Sequence, residues 1–395
     1  MNTLKSNLKL KLVKTKQHFH NIREKVNSKL NSRINFNNFK MTRSLKKPNY
    51  NAMFIFPLIY FPQIAYLAEE EEKKESTELE MKDIVRGEYE NKIRTFSSIE
   101  KRFLIFAKIK KYGDYRMNYF QFLDSLTPFQ YIKIKSVDDI SKDLNENENF
   151  LKVLKKIDIN NDGFINFEEF IILSVILSTS PGDFLKAYPS GKMSREQLAE
   201  FLMNKISELD SLKITNKSMV DGRIIKTDYN TLYRYMVDFV ALVFKNNVVD
   251  INTDISQFLF EIYLLMLFYE FHRIPNQANK KIPMENFAKV LMSYVNIYKN
   301  KHIKKKIDEK LIDLSGEISF DEYVSFFWFL KGLSNDKLEV FKDGTITLKN
   351  LKKIADEKLK TMPNTGFKIK KGISERQLKL LIDLFDENGK IYFDK

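Results

Sequence analysis

The chain has 395 residues, and 43% of them are hydrophobic, including 33 Phe, so it can bury a sizeable core. It contains no Cys, which excludes disulfides, thiolate zinc sites and cysteine nucleophiles. With 4 His and 12 Gly, and without Gly-rich phosphate loops or the GxSxG and HExxH motifs, the sequence offers no set of catalytic residues. We therefore expect a globular protein that is not an enzyme.

The formal net charge of +14 is concentrated at the N-terminus. Residues 1–68 hold 13 Lys or Arg and a single acid, Glu24, which leaves 53 basic and 51 acidic residues for the remainder. A nucleic-acid-binding domain would carry its basic excess on the folded body. The nearly neutral body therefore argues against a nucleic-acid partner.

Residues 1–47 form a basic, polar and nearly acid-free leader. Its apolar residues recur at helical spacing, at Phe19, Ile22, Val26 and Leu30. An amphipathic leader that carries Arg and Lys in this way is typical of a mitochondrial transit peptide. A disordered basic tail is the alternative, and a secretory signal is disfavoured because no apolar segment follows the first charges at once.

Residues 48–68 follow as an apolar anchor or sorting segment, and residues 69–85 as a charged linker. The stretch 49–68 carries no charge, and a helix of this length would reach about 30 Å, the thickness of a bilayer's hydrocarbon core. Because Pro57 and Pro62 weaken a continuous helix, three interpretations stay open: membrane association through 49–68, a sorting segment that is removed, and a buried strand. The flanking charge is basic before the segment and acidic after it. If the segment spans the membrane, positive-inside bias would leave the leader on the matrix side and the body across the membrane.

The body shows a repeated turn, in which a Gly is followed two positions later by an apolar residue and then by the start of a helix. The turns of this type contain Gly163, Gly191, Gly316, Gly344 and Gly389, with weaker matches at Gly113 and Gly222. In an EF-hand loop the Gly makes the sharp turn at position 6. The apolar residue at position 8 is expected to pair with a neighbouring loop. We therefore predict a mainly α fold with two EF-hand-type lobes, 86–240 and 241–395, and short two-stranded pairings between loops.

Residues 158–169 match the calcium-binding pattern D-x-[DN]-x-[DN]-G-x5-E at every constrained position. The predicted metal ligands are the side chains of Asp158, Asn160 and Asp162, the backbone carbonyl of Phe164, Asn166 through water, and Glu169 as a bidentate ligand. Calcium takes about six to eight oxygen ligands, and the loop offers about that number. Sensor loops of this kind bind Ca²⁺ with Kd values of roughly 10⁻⁷–10⁻⁵ M.

The other loops lack ligands where a metal ion would need them. Leu311 and Lys186 stand at position 1 of two of these loops. The terminal segment from Asp386 is two residues short, and Lys395 stands where the Glu should be. We predict that these loops are structural pseudo-hands, and that the missing helix after the last loop marks either a fragment or a wrongly assigned end.

Four segments of the body occur in a fixed order. They are 88–97 (EYENKIRTFS), 120–128 (FQFLDSLTP), 164–178 (FINFEEFIILSVILS) and 317–330 (EISFDEYVSFFWFL). In this order, and with the basic leader and apolar segment upstream, they resemble the mitochondrial calcium uptake proteins. Members of this family are EF-hand regulators of the mitochondrial calcium uniporter.

The resemblance implies a two-lobed helical protein on the intermembrane-space side that caps the uniporter pore at low Ca²⁺ and releases it when Ca²⁺ binds. It also implies a basic surface for the acidic pore mouth, and the matching residues are Lys92, Arg94, Lys101 and Arg102, with a solvated helix face as the alternative. The chain departs from the family in having one intact loop, no Cys for the disulfide of many family dimers, and no C-terminal helix. Any homo- or heterodimer would therefore form without a disulfide.

The leading interpretation is a calcium-sensing regulatory subunit, or gatekeeper, of the mitochondrial calcium uniporter, with Ca²⁺ as its ligand and the pore subunit as its partner. A single intact loop also fits an EF-hand scaffold that one Ca²⁺ ion stabilises. A regulatory subunit of a calcium-controlled enzyme or carrier is the third alternative.

Overall fold

The computed structural model describes residues 81–395, except for 112, 133, 136–139, 142–146, 209–217, 221–222, 226, 276–279, 295–300, 336–346, 364–366 and 385–395. The chain divides into two units, Met1–Asn49 and Tyr50–Lys395, and every described residue lies in the second. The predicted transit peptide, the apolar segment 48–68 and most of the linker 69–85 lie outside the described residues, as do Gly222, Gly344, Gly389 and the terminal segment from Asp386.

The described part of the chain is mainly helical, which confirms the predicted fold class. Its N-terminal portion contains α1 (Met81–Phe96), α2 (Ile99–Phe106), β1 (Ile109–Lys111), β2 (Asp114–Arg116), α3 (Tyr119–Leu126), α4 (Glu148–Ile157) and α5 (Phe167–Ser178). The middle contains α6 (Pro181–Ala187), β3 (Lys192–Ser194), α7 (Arg195–Glu208), β4 (Ser218–Val220), β5 (Arg223–Ile225), α8 (Tyr229–Val243), β6 (Val248–Asp250), a π-helical turn (Ile251–Ile255) and α9 (Ser256–Arg273). The C-terminal portion contains β7 (Ile282–Pro283), α10 (Met284–Leu291), α11 (Lys301–Asp308), β8 (Glu317–Ile318), α12 (Phe320–Asn335), α13 (Leu348–Lys360) and α14 (Glu375–Leu384).

The first two helix–loop–helix units pair through their loops. Helices α2 and α3 flank the first loop, and α4 and α5 flank the loop 158–169. Met117 and Ile165 face each other across an antiparallel bridge, with N–H···O distances of 3.0 and 2.8 Å, and both side chains are fully buried. The predicted pairing at loop position 8 is confirmed for Ile165. Its partner is Met117 and not Tyr115, because Tyr115 pairs with Lys110 inside the local β1–β2 hairpin.

Two further loop pairs occur in the described part of the chain. Met193 of β3 faces Val249 of β6, and Ile282 of β7 faces Ile318 of β8, both in antiparallel register. The strands β3 and β6 lie on either side of the predicted lobe boundary between 240 and 241, so this pair takes one strand from each predicted lobe. Ile224 pairs locally, because β4 and β5 form a hairpin of their own.

Helix α4 leads into the loop 158–169 and carries the apolar stripe that its spacing predicts. Phe150, Val153, Leu154 and Ile157 are all buried. The ring of Phe150 lies 4.0 Å, centroid to centroid, from the ring of Phe268 in α9. Burial of such a stripe fixes which face of α4 meets the core, and the loop that follows is therefore held at a defined place.

Helix α9 runs through the centre of the described body. Every residue from Phe258 to Arg273 is buried, and the helix contacts α3, α4 and α12. Among the described residues, Ile251–Arg273 is long and apolar enough to cross a membrane, and the bent pair α5 and α6 would pass the same test as one span. The apolar stretch within Ile251–Arg273 is 72% buried inside the protein, as is typical of a core helix in a folded domain.

Five of the described helices begin with a reciprocal cap between two residues with the same spacing. In four of them these residues stand at loop positions 9 and 12, and the fifth pair lies at the start of α14. The side chain at position 9 accepts a hydrogen bond from the backbone N–H at position 12, and the side chain at position 12 accepts one from the N–H at position 9. The capping pairs in the described residues are Asn118 with Gln121, Asn166 with Glu169, Ser194 with Gln197, Ser319 with Glu322, and Ser374 with Gln377. The residue at position 12 therefore stabilises the start of a helix even in loops that lack the other metal ligands.

A buried carboxylate on α9 joins this helix to the third loop pair. The hydroxyl of Tyr294 donates to both carboxylate oxygens of Glu270, at 2.6 and 2.5 Å, and the hydroxyl of Tyr323 donates at 3.1 Å. Gln130, which follows α3, donates to the backbone carbonyl of Glu270 at 3.3 Å. Burial raises the pKa of Glu270 from 4.5 to about 7, although the two tyrosine hydroxyls and the buried Arg273 lower it.

We expect the substitution Glu270→Gln to change how stability depends on pH. The folded-state pKa is raised, so the carboxyl group contributes its full stability below about pH 4.5 and loses it as the pH rises towards about 7. The amide does not ionise, so the variant should gain stability relative to the wild type between pH 5 and pH 8. Denaturant unfolding at both pH values measures this difference. A difference in unfolding free energy that is the same at both values would contradict the assignment.

Candidate metal centre

The backbone of the loop 158–169 makes the turn that its sequence predicts. Gly163, at position 6, has a φ of 81°, a left-handed conformation that favours glycine because other residues suffer a clash at Cβ. Asn161 has a φ of 53°, which Asn tolerates better than most residues. The turn returns the chain to Ile165, where the bridge to Met117 fixes the second half of the loop.

Asp158, at position 1, is almost completely buried, with 1% of its surface exposed. One carboxylate oxygen accepts hydrogen bonds from the Tyr119 hydroxyl at 2.7 Å and from the Gly163 N–H at 2.8 Å. The other oxygen accepts from the Asp162 N–H at 3.1 Å. Burial raises the pKa of Tyr119, and the bond to Asp158 raises it further, so this hydroxyl stays protonated and donates.

Asn160 and Asp162 point their side chains back onto the loop. The side-chain oxygen of Asn160 accepts from the Asp162 N–H at 2.9 Å, and one oxygen of Asp162 accepts from the Phe164 N–H at 2.9 Å. The second oxygen of Asp162 forms an ion pair with the guanidinium group of Arg116, at the end of β2. Asp162 therefore meets a positive charge supplied by the paired loop.

Glu169, at position 12, is 1% exposed and accepts hydrogen bonds from three backbone N–H groups. One oxygen accepts from Ile159 at 2.9 Å and from Asn160 at 3.3 Å, and the other accepts from Asn166 at 2.8 Å. Burial raises the pKa of Glu169 to about 8. The hydrogen bonds from the loop N–H groups lower this pKa, and the nearby charge of Asp158 raises it. Asn166 also donates to the hydroxyl of Tyr235 at 3.1 Å, which ties the loop to α8.

The donor set of this loop fits Ca²⁺. It consists entirely of oxygen atoms, from three carboxylates, two side-chain amides and the carbonyl of Phe164, and hard cations such as Ca²⁺ prefer oxygen. In the structure the three carboxylates bind loop N–H groups, Tyr119 and Arg116, and no group of three or more His, Cys, Asp or Glu is arranged to hold a metal ion anywhere in the described residues. Coordination of Ca²⁺ by the six predicted ligands therefore stays a prediction.

The loop 311–322 shows how a degenerate hand is built. Leu311, at position 1, is 62% exposed and offers no oxygen from its side chain. Asp313 accepts from the Ser315 N–H at 2.9 Å, and its pKa is lowered mainly by the hydrogen bonds from Ser315. The guanidinium group of Arg376 lies so close to Gly316 that a Cβ there would be 2.4 Å from it. An arginine thus stands beside the turn of this loop.

The four basic residues predicted to meet a partner do not share one surface. Lys92 is exposed and Lys101 is partly exposed, whereas Arg94 is buried at 6% exposure. Arg94 donates to the backbone carbonyl of Asp124 at 2.9 Å and pairs with Glu90, and burial lowers its pKa to about 10.

Arg102 is partly exposed, as Lys101 is, but its Nε atom is buried. Its guanidinium group lies 5.6 Å from the centre of the Phe170 ring in α5, and desolvation lowers its pKa to about 10. Lys92 is therefore the exposed member of the predicted set, Lys101 and Arg102 are partly exposed, and Arg94 is buried.

Three residues outside the predicted ligand set contact the ligand residues from other segments: Arg116, Tyr119 and Tyr235. A signal was present for the first two. Asn118 and Gln121 have the same spacing as Asn166 and Glu169, and aligning the two pairs places Met117 opposite Ile165. Arg116 and Tyr119 then fall beside the loop. Tyr235 carries no comparable signal, because its contact depends on how α8 packs.

Comparison with known proteins supports the resemblance stated above. No protein-family model matches the chain. The chain is 23% identical over 335 residues to the calcium uptake protein 1 homolog, mitochondrial, of Caenorhabditis briggsae; the match covers 76% of this chain and 59% of that relative. The chain thus spans less than two thirds of the length of the curated relative. The resemblance to the calcium uptake proteins is confirmed.

We expect Asn166→Ala and Asn118→Ala each to lower the free energy of unfolding by about 1 kcal/mol, because each removes a side-chain cap from a helix. The matched control is Asn147→Ala, since Asn147 precedes α4 without a capping hydrogen bond and should change stability little. Denaturant unfolding of the three variants measures the effect. Equal losses in all three would show that the caps do not stabilise these helices.

Proposed function

We propose that this chain is a calcium-sensing regulatory subunit, or gatekeeper, of the mitochondrial calcium uniporter. One observation supports the proposal most: a full set of predicted Ca²⁺ ligands lies in a loop that matches the EF-hand pattern at every constrained position, in a chain similar to a mitochondrial calcium uptake protein. Under this proposal Asp158, Asn160, Asp162, Phe164, Asn166 and Glu169 hold the ion. The chain acts by binding and not by catalysis.

The geometry suggests how the loop would report calcium to the rest of the molecule. Bound Ca²⁺ would supply two positive charges for the three ligand carboxylates, Asp158, Asp162 and Glu169, to share. Glu169 is also the third residue of α5, so any reorientation of its carboxylate away from the Ile159 and Asn160 amides alters the first turn of that helix. Helix α5 contacts α2, α7 and α8, which makes it a rigid connection between the loop and the core.

A Ca²⁺-dependent change at the first turn of α5 would be transmitted to a partner through helix α2. Phe170 follows Glu169 directly, and the guanidinium group of Arg102 lies over its ring. Lys101 is the neighbour of Arg102 and is partly exposed, and Lys92 is exposed on α1. We propose that Lys92 and Lys101 contact acidic groups of the uniporter pore subunit, with Arg94 and Arg102 positioning α1 and α2 from within.

The proposed location is the inner mitochondrial membrane, with the body facing the intermembrane space. The basic leader 1–47 would act as the transit peptide, and 49–68 would associate with the membrane. A homo- or heterodimer would form without a disulfide, since the chain has no Cys.

A scaffold that one Ca²⁺ ion stabilises is the second candidate. The observation that favours it is the hydrogen bonding of the loop, in which protein donors already satisfy the carboxylates of Asp158 and Glu169. In a scaffold, Ca²⁺ would slow hydrogen exchange in the loop and leave α2 and α5 unchanged. In a regulator, exchange in α2 and α5 would change as well. A third possibility is a regulatory subunit of a calcium-controlled enzyme or carrier. Purification of the chain with its partners would distinguish this possibility from the gatekeeper and from the scaffold, because it identifies the bound partner.

Calorimetry on the purified full chain tests the metal site. We expect Glu169→Gln to weaken Ca²⁺ binding by about 100-fold or more, because it removes a bidentate ligand, a larger loss than that of an outer-shell partner. The matched control is Glu322→Gln, the same chemical change at the same position of a loop that lacks an acid at position 1. It should leave Ca²⁺ affinity unchanged. Equal affinities of the wild type and Glu169→Gln would exclude this loop as the site.

Mitochondrial uptake tests the regulatory role. In cells that lack the chain, re-expression of the wild type or of Glu322→Gln should restore the Ca²⁺ concentration at which uptake begins. Re-expression of Glu169→Gln should shift that threshold, because the subunit no longer responds to Ca²⁺. An uptake threshold that is the same with and without the chain would contradict the gatekeeper proposal.

A further inference from the structure

Arg116 lies beside the loop 158–169 because of the loop pairing. It is the last residue of β2, and the next residue, Met117, forms the bridge to Ile165. The bridge fixes the backbone on both sides, so the Arg116 side chain is brought over the carboxylate of Asp162, with which it forms an ion pair. This contact joins the β1–β2 hairpin to the fifth position of the candidate calcium loop.

The environment of this ion pair makes it more than a surface contact. The side chain of Arg116 is 16% exposed and that of Asp162 is 25% exposed, so solvent screens the pair only in part. The Nε atom of Arg116 is buried and has no hydrogen-bond partner. Asp162 is the ion-pair partner of this guanidinium group in the loop, and the charge of Arg116 also acts on the carboxylate of Glu168.

The other two ligand carboxylates are satisfied differently. Asp158 accepts from Tyr119 and from the N–H groups of Asp162 and Gly163, and Glu169 accepts from three backbone N–H groups. These donors are neutral. The loop holds four carboxylates, because Glu168 stands beside Glu169, and the charge of Arg116 also acts on Glu168. Arg116 thus supplies a full positive charge to this loop and reduces the mutual repulsion of its carboxylates.

A bound Ca²⁺ ion and the guanidinium group of Arg116 would compete for the same oxygen of Asp162. We propose that Arg116 is a tethered counter-cation that sets the calcium affinity of the loop and that is released from Asp162 when the ion binds. The inference rests on the calcium site proposed above. By linkage, a pair that weakens Ca²⁺ binding is itself weakened by Ca²⁺, so occupancy of the loop loosens the β1–β2 hairpin.

A second loop also has an arginine beside its turn. In the loop 311–322, which lacks an acid at position 1, the guanidinium group of Arg376 from α14 lies against Gly316. This arginine is not paired with a complete set of predicted calcium ligands. A Ca²⁺ ion bound as proposed would therefore compete with Arg116 in the loop 158–169, and no such competition is expected in the loop 311–322.

The test compares Ca²⁺ affinities by calorimetry on the full chain. Arg116→Gln removes the charge, and we expect it to tighten Ca²⁺ binding about tenfold, which corresponds to about 1.4 kcal/mol. Arg116→Lys keeps the charge and should stay closer to the wild type than Arg116→Gln does. The matched control is Lys111→Gln, which removes a positive charge from the same hairpin, at a side chain that lies 4.6 Å from the Phe164 ring and not on Asp162. It should change the affinity about twofold or less.

Hydrogen exchange of the hairpin amides gives a second measurement. In the wild type, saturating Ca²⁺ should speed exchange within 109–116, and in Arg116→Gln this response should be absent. Equal Ca²⁺ affinities of wild type and Arg116→Gln, or an equal gain in Lys111→Gln, would overturn the inference and leave the calcium site intact. Absence of Ca²⁺ binding in both wild type and Arg116→Gln would overturn the proposed site, and the inference with it. If Arg116→Gln does not fold, the wild-type exchange decides, and hairpin exchange that Ca²⁺ leaves unchanged contradicts the inference.

Discussion

The free N–H groups at the start of each helix are the constraint on which this structure depends. A helix leaves its first backbone N–H groups without intrahelical partners, and four of the described helices that leave loops satisfy them with a side-chain pair at loop positions 9 and 12. Gln121 and Gln197 fill position 12 in loops without a calcium pattern, and each accepts the N–H of the capping residue. Position 12 therefore helps to begin the exiting helix in these loops, whereas α10 begins after Pro283 without a side-chain cap. In the loop 158–169 the same position holds Glu169, one of the predicted calcium ligands.

This double role connects the loop to the helices around it. The carboxylate of Glu169 caps α5 and reaches the N–H groups of Ile159 and Asn160, so the start of the loop and the start of the helix share one side chain. Helix α5 is buried along nearly its whole length. Because the core around it is closely packed, a change at its first turn must displace neighbouring side chains. On the other side of the loop, Arg116 connects Asp162 to the β1–β2 hairpin. A structural change in the loop can therefore reach the rest of the protein along two routes. One passes through α5 into the core, and the other passes through Arg116 into the paired loop.

The features that depend on local sequence could be predicted, and those that depend on distant contacts could not. The stripe from Phe150 to Ile157 and the turn at Gly163 follow from spacing and from glycine's conformational freedom, and both are present in the structure. The choice of Met117 as the partner of Ile165 depends on the β1–β2 hairpin, which uses Tyr115 locally. The pairing of β3 with β6 across residue 240 also depends on how separate segments pack.

Charge was the hardest property to interpret from the sequence alone. Arg94 and Arg102 stand in a basic stretch that suggests a surface, yet burial lowers the pKa of both because each packs against an aromatic ring inside the fold. Arg116 stands outside the predicted basic set, and only its spacing from Asn118 and Gln121 indicates its place, yet it forms an ion pair with Asp162 of the candidate site. Arginines therefore take different roles in this protein: Arg94 and Arg102 pack against aromatic rings, whereas Arg116 pairs with a carboxylate of the candidate site. Only the three-dimensional contacts distinguish these roles.

We propose that the loop 158–169 binds calcium, whereas the loops without a full ligand set fold without it. Native mass spectrometry of the full chain, titrated with Ca²⁺ against a Mg²⁺ background, counts the bound ions. We expect one tightly bound Ca²⁺ ion per chain and no second ion of similar affinity. A chain that binds no Ca²⁺, or that fills two sites together, would contradict this proposal.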